Sequence, residues 1–236
     1  MKGLIVAAGQ GTRLRQVAAS KPLALVNGVA LIERVIVTAH EAGISEFVVV
    51  TGYEGARLEK FLQRLSARVG IPIVTVRNFA WKRANGVSVV TAEPHLDGRF
   101  VLMMADHLVE PALISDLLGV KVRGDDVVLA IDRRLDNPLV DLADVTRVRT
   151  DADGRILEIG KLIEDYDAFD TGVFLASRAL IEAIRDDIAA GGSGGISGGM
   201  SRLAGQGRAR TFDIGERFWL DVDDPTAHGQ AERLRA

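Results

Sequence analysis

The stretch "VAAGQGTRLRQVAASKPL" runs from Val6 to Leu23, directly out of the apolar run "GLIVAA" (3–8). That run is short and continuous, the pattern of a buried strand. The chain therefore leaves a strand, turns through Gly9 and Gly11, meets Arg13, and arrives at Lys21-Pro22. A glycine turn at the end of a strand can aim backbone N–H groups at a phosphate. Gly9-Gln10-Gly11-Thr12-Arg13-Leu14 lacks the third glycine of a dinucleotide fingerprint, and no acidic residue ends a second strand at the expected distance. A P-loop is also excluded: five residues separate Gly154 from Gly160-Lys161, and leucine follows the lysine. What remains is a turn that can approach a polyphosphate, plus two cations. Arg13 can grip two phosphate oxygens. Lys21 is a compact point charge suited to a phosphorus that gains negative oxygens during reaction, and Pro22 stiffens the backbone behind it.

Outward from this turn the pattern alternates. A helix is predicted over 29–43, a strand over 46–53, a helix over 55–70, a strand over 72–78, a turn and helix from Gly86, and a strand over 99–106 closed by Asp106. Continuously apolar strands alternating with helices predict an α/β fold: three layers, α/β/α, around a mostly parallel twisted sheet of Rossmann-like type. Ligands on such sheets bind beyond the carboxyl ends of the strands. That places the Gly9–Arg13 loop, Gly52, Tyr53, Asn78 and Asp106 on one rim. The second half is less regular: a short helix from Pro111, a strand over 126–135, a β-hairpin insertion over 143–162 turning at Asp153-Gly154, a strand over 168–177 and a helix after it. "GGSGGISGGM" (191–200) has six glycines in ten residues and reads as a mobile lid or surface loop. A strand and a terminal helix opened by Asp224-Pro225 follow. The expected organisation is one domain over 1–236, with a nucleotide-binding half to about residue 110 and an acceptor-binding half beyond it.

Of the 236 residues, 47% are hydrophobic and 26% charged, the profile of a globular protein. The formal net charge of -3 argues against nucleic acid as a partner. With no cysteine, disulfides and thiolate metal sites are excluded. No window supplies the ~18 apolar residues of a membrane span, the N-terminal apolar run is too short for a signal peptide, and the cytoplasm is the expected compartment.

Two aspartates are candidates for Mg²⁺. Asp106 ends a central strand, and Asp221 and Asp223 in "FWLDVDDP" (218–225) point to one side by period two. Either Asp223 or Asp224 could instead cap the terminal helix. "NFAWKRANGVSVV" offers Asn78, Asn85, Gly86 and Ser88 around Trp81, small polar groups able to meet a base and ribose or to cap a helix. His107 abuts Asp106 with no serine or cysteine nucleophile in view, and His40, His95 and His228 lack ligand spacing.

Together "LIVAAGQGTRL…KPL", "MMADH", "DTGVFL" and "FWLDVDDP" resemble the sugar-phosphate nucleotidyltransferase superfamily over essentially the whole chain. "NFAWKRANGVSV", "LADVTRVR" and "IGKLIEDYDAFDTGVF" make it most similar to CTP:inositol-1-phosphate cytidylyltransferases. The resemblance implies CMP transfer from CTP to a phosphorylated alcohol, with Mg²⁺ as cofactor. It implies that Ala7, Ala8, Gly9, Gly11 and Thr12 line the nucleotide. Arg13 and Lys21 bind the triphosphate. Asn85, Gly86 and Ser88 meet base and ribose. Lys161, Thr171 and Gly172 face the acceptor, and Asp106 and Asp223 hold the metal. In some relatives the module is fused to a membrane-bound phosphotransferase, so functional coupling to a separate enzyme of that kind is expected here. The family often has Asp-Thr-Pro-Glu-Asp where this chain has Asp223-Asp224-Pro225-Thr226-Ala227. Three readings stand: cytidylyl transfer to inositol 1-phosphate; the same chemistry with phosphocholine, or with a sugar 1-phosphate and UTP or dTTP; and a non-catalytic nucleotide-binding regulator.

Overall fold

A computed structural model describes residues 1–233. The strands are β1 (Lys2–Ala7), β2 (Leu25–Val26), β3 (Val29–Ala30), β4 (Glu46–Thr51), β5 (Ile73–Arg77), β6 (Phe100–Met104), β7 (His107–Val109), β8 (Val127–Asp132), β9 (Arg147–Thr150), β10 (Ile156–Gly160), β11 (Ala168–Ala176), β12 (Ala209–Asp213) and β13 (Trp219–Asp221). The α-helices are α1 (Leu31–Glu41), α2 (Gly55–Val69), α3 (Gly86–Thr91), α4 (Pro111–Leu118), α5 (Arg178–Ala189), α6 (Ile196–Gly205) and α7 (Pro225–Arg233).

Nine strands form one sheet. Seven run in the order β10-β9-β11-β6-β1-β4-β5, and β8 pairs with β11 and β12 off that path. β1 is parallel to β4 and β6, and β4 to β5, as continuous apolar runs demand. The sheet's alternating residues feed two cores. Ile5, Val49 and Met103 pack with α1, α2 and α4, whereas Leu4, Val48 and Leu102 pack with α3, α5 and α6. Buried on both faces, the sheet is the middle of three layers. β11 runs antiparallel to β6 and β8, so its first residues reach the rim where β1, β6 and β8 end.

Three local expectations change. The helix predicted over 29–43 begins at Leu31, because Val29–Ala30 pairs with Leu25–Val26 around Asn27-Gly28. Both turn residues have positive φ, 48° and 78°, as a two-residue hairpin turn requires. The 143–162 hairpin adds its strands to the edge of the main sheet through β9–β11 pairing. The glycine-rich stretch is no loose lid: α6 starts within it. A Cβ on Gly199 would lie 2.6 Å from Ile184 Cγ1, and one on Gly198 the same distance from Asp187 Oδ2. These glycines let α6 close against α5.

Candidate active site

The carboxyl ends of β1 and β6 deliver the first parts of the site. After β1 the chain passes Gly9, over which there is open space, and Gly11, which has φ 59°. A side chain at Gly11 would collide with the stem of Lys21. The second glycine therefore admits the lysine. Lys21 is nearly buried, and its ammonium pairs with both Asp106, just past β6, and Asp223, just past β13. Arg13, in a single turn over Thr12–Leu14, pairs with the same Asp223 and with Asp144 Oδ2 at 2.6 Å. Asp144 Oδ1 takes Lys161 Nζ at 2.5 Å. A chain of alternating charge thus runs Asp106–Lys21–Asp223–Arg13–Asp144–Lys161. Beneath it, Leu14, Val26, Leu31, Leu108, Leu220 and Val222 form a separate small core. That core fixes the glycine loop against β7 and β13, whose antiparallel pairing sets Asp221 opposite His107.

Burial works against charge on His107. The Asp221 carboxylate at 3.4 Å outweighs it, helped by Asp106 and by the Thr171 carbonyl accepting at 2.8 Å from Nδ1, and holds the imidazole's pKa at about 10. Burial likewise pushes Asp221 up, but His107, Lys21 and Arg13 hold it down to about 2. On Asp144 burial is outweighed by Lys161 and Arg13, and its pKa is lowered. Asp170 moves the other way. Burial raises it to about 6 against the opposing Gly172 N–H and His107.

These groups line a cavity of about 680 Å³. Of the residues expected in the site, Gly9, Arg13, Asn85, Asp106, Lys161, Gly172 and Asp223 form its wall. The others lie off it. Ala7 and Ala8 are buried, and the Ala8 carbonyl already accepts from the Tyr53 N–H at 3.0 Å. Thr12 is exposed. Gly86 packs against the backbone of Gly194 and Gly195. Two of the expected residues have hydroxyls engaged within the fold. Ser88 is 2% exposed and its hydroxyl accepts from Asn78 Nδ2 at 3.0 Å, so it ties α3 to the end of β5. The Thr171 hydroxyl is buried and donates to the Ala130 carbonyl at 2.8 Å, so it stitches β11 to β8. Asn85 Oδ1 accepts from the Ile196 N–H at 3.0 Å, which sets α6 beside the cavity. Asp224, whose Oδ1 accepts from the Ala227 N–H at 2.7 Å, caps α7 and leaves Asp223 to the site.

The donors fit a hard divalent cation. Ligand atoms of Asp144, Asp221 and Asp223 lie within 4.8 Å of one another, and Asp106 and Asp223 reach one ammonium. Asp221 Oδ1 is buried with no hydrogen-bond partner among the described residues. An all-oxygen carboxylate set of this kind suits Mg²⁺. Sequence reasoning missed Asp144 and Asp170. Asp144 lies in the run "LADVTRVR", which carries the resemblance but is not read as a source of ligands. Asp170 carried a signal, a lone acid in an apolar strand immediately before Thr-Gly.

The chain matches the MobA-like NTP transferase domain over residues 3–192. It is 38% identical over 225 residues to the bifunctional IPC transferase and DIPP synthase of Rubrobacter xylanophilus, covering 94% of this chain and 49% of that protein. It is 31% identical over 119 residues, half of each chain, to the choline-phosphate cytidylyltransferase of Streptococcus pneumoniae. The inositol-1-phosphate CTP transferase from T. maritima shares the fold, with a TM-score of 0.84 over 100% of this chain and 97% of that one at 22% identity. The chain belongs to the MobA-like NTP transferase domain family. It spans about half the length of the bifunctional relatives it matches. Among the described residues no helix is long and apolar enough to cross a membrane.

Proposed function

We propose that the chain transfers CMP from CTP to inositol 1-phosphate, with Mg²⁺ as cofactor, releasing pyrophosphate. The observation that carries this is the alternating charge chain from Asp106 to Lys161, whose members other than the nearly buried Lys21 line one cavity. It puts three cations, two for a triphosphate and one for an acceptor phosphate, within reach of a carboxylate metal set. The 38% identical relative supports the acceptor assignment.

An acceptor phosphate oxygen attacks the α-phosphorus of CTP, and the bond to the bridging oxygen breaks as pyrophosphate leaves. The acceptor is a phosphomonoester with a second pKa of about 6, largely dianionic at neutral pH, so no general base is required. The difficulty is bringing two polyanions together, which makes positioning and charge neutralisation the main contributions. Arg13 grips the outer phosphates, Lys21 faces the α-phosphate, and Lys161 holds the acceptor phosphate. Gly9 admits the nucleotide, and Asn85 faces its base side. Asp106 and Asp223, with Asp221 beside them, would hold the Mg²⁺, which supplies charge neutralisation at the transferred phosphoryl group.

Phosphocholine fits less well. A quaternary ammonium calls for an aromatic cage, and the aromatic rings on the cavity wall are Phe174 and Trp219. Tyr53 and Trp81 pack on each other, and Tyr166 on Phe169 under Arg147. The setting expected for the reaction is the cytoplasm, with a membrane phosphotransferase activity consuming the product. Pyrophosphate release over a panel of CTP, UTP, dTTP and ATP against inositol 1-phosphate, phosphocholine and glucose 1-phosphate tests the reading. CTP with inositol 1-phosphate is expected to be fastest, and a faster pair elsewhere in the panel replaces it.

A further inference from the structure

Arg147 is the first residue of β9, and the β9–β10 register sets it opposite Gly160, the last residue of β10. Two loops meet the sheet at this point. One, before β9, carries Asp144; the other, after β10, opens on Lys161. The Arg147 guanidinium joins them. Its Nη2 donates to the Leu142 carbonyl at 3.2 Å, and its Nη1 to the Ile163 carbonyl at 3.1 Å. Its Cζ lies 4.8 Å from the centre of the Tyr166 ring, which itself packs on Phe169 in β11. Among the described residues no carboxylate pairs with Arg147, and its Nε is buried without a hydrogen-bond partner. The cation is thus committed to two loop carbonyls and one ring, and it is not among the groups that line the cavity.

Lys161 needs such support. Its side chain is 54% exposed, and Leu162, Glu164 and Asp165 after it are exposed as well. Among the described residues its ammonium is held by Asp144 Oδ1 alone. That hold weakens when substrate binds, because the acceptor phosphate and Asp144 compete for the same ammonium. The bonds from Arg147 go to backbone carbonyls, which no phosphate displaces. A guanidinium presents its donors in a rigid fork, so one side chain can fix two carbonyls relative to each other, which a flexible ammonium cannot. We propose that Arg147 is a positioning residue: it clamps the loop of Asp144 to the loop of Lys161 and keeps Lys161 aimed at the acceptor phosphate after Asp144 has released it. The inference deepens the proposed function and rests on it for the role of Lys161. Arg147 touches no substrate in this reading and acts only through the lysine.

The test is a double-mutant cycle over Arg147→Ala and Lys161→Ala, with Arg147→Lys beside it. The readouts are KM for inositol 1-phosphate, kcat and the dissociation constant for CTP. Arg147→Ala is expected to raise KM by on the order of 10-fold, the cost of a misplaced positioning group. The CTP dissociation constant and kcat should stay within a few-fold of the parent. In the Lys161→Ala background the same substitution should leave KM nearly unchanged, because no ammonium remains to be aimed. A general loss of structure would instead carry through both backgrounds, since independent effects add. Arg147→Lys keeps the charge but can reach only one of the two carbonyls, so its KM should fall between those of the parent and Arg147→Ala. If Arg147→Ala does not fold, Arg147→Lys runs the same cycle. Equal KM penalties in the two backgrounds overturn the clamp and leave cytidylyl transfer intact. A parental KM in Arg147→Lys does the same, because charge would then suffice without the bridge. If the parent turns over another phosphorylated alcohol faster, the acceptor assignment falls, and the cycle measured with that compound decides the clamp by the same criterion. A Lys161→Ala variant with parental KM removes Lys161 from the acceptor phosphate and overturns this inference with it.

Discussion

Lys21 joins Asp106 and Asp223, and its stem fills the space that glycine leaves at position 11. Its charge is therefore fixed before any substrate arrives, which is how a transition-state cation is most effective. Lys21→Ala should lower kcat by on the order of 10²–10³ and change CTP affinity only a few-fold. Single-turnover rates alongside equilibrium CTP binding separate the two. A variant with near-parental kcat would remove Lys21 from the chemistry. Lys21 and Arg13 were legible in the sequence because they lie in one local run with the glycines that seat them. Asp144 was not. It meets Arg13 across 131 residues of chain, and nothing near it in sequence announces the contact. Ser88 and Thr171 show the converse case. Both occur in motif-like runs, and both hydroxyls are spent on neighbouring elements of the fold.

At the scale of elements, composition misled where packing made the decision. Six glycines between 191 and 200 suggest mobility, yet Gly198 and Gly199 are the contact residues of α6 on α5. Propensity scores the isolated chain, and here close helix approach overrides it. The Asn27-Gly28 hairpin was legible from its dipeptide, but its strands are two residues each and an apolar helix follows at once, so the helical period swallowed them. The ordered form of the glycine-rich region makes a prediction with a built-in control. Gly86 opens α3 against backbone: a Cβ there would collide with the Gly194 carbonyl oxygen and lie 3.0 Å from the Gly195 carbonyl carbon. Backbone cannot swing aside as a side chain can, so Gly86→Ala should destabilise by about 1–3 kcal/mol. Gly205, also in α6, has nothing within 4 Å of the place a methyl group would occupy. Gly205→Ala should be neutral or stabilising by up to about 1 kcal/mol. Denaturant melts of the two variants decide it. If Gly86→Ala matches Gly205→Ala, the 191–195 stretch is not held against α3.

At the scale of the whole molecule, the sheet carries the core and the rim carries the charges, and Asp132 connects them. It ends β8 with no exposed side-chain surface. Its carboxylate accepts from Trp219 Nε1 at 2.7 Å, Asn137 Nδ2 at 2.8 Å and Arg134 Nε at 2.8 Å. These bonds pin the loop after β8 and the strand β13, two residues ahead of Asp221, to the central sheet. Burial pushes the pKa of Asp132 up, but Arg134, Trp219 and Asn137 together outweigh it and hold the folded-state value below the ordinary one. The sign follows from linkage. A carboxyl depressed in the folded state adds stability that is fully present above its unfolded pKa, about 3.9, and is lost as pH falls through its folded value. Asp132→Ala leaves Arg134 and the indole N–H facing an empty place, and breaking such a buried pair costs about 3–5 kcal/mol. Asp132→Asn keeps an acceptor for the indole and removes only the charge, so its cost should be smaller and its pH dependence diagnostic. At pH 7 the parent should be more stable than Asp132→Asn. That gap should shrink as pH drops below about 4, because protonation then makes the parent's carboxyl neutral as well. Urea melts of both proteins from pH 7 to pH 3 measure the gap directly. A gap that stays constant across that range would mean the charge of Asp132 does not hold β13 to the sheet, and the strand would owe its position to the apolar packing of Leu220 and Val222 alone.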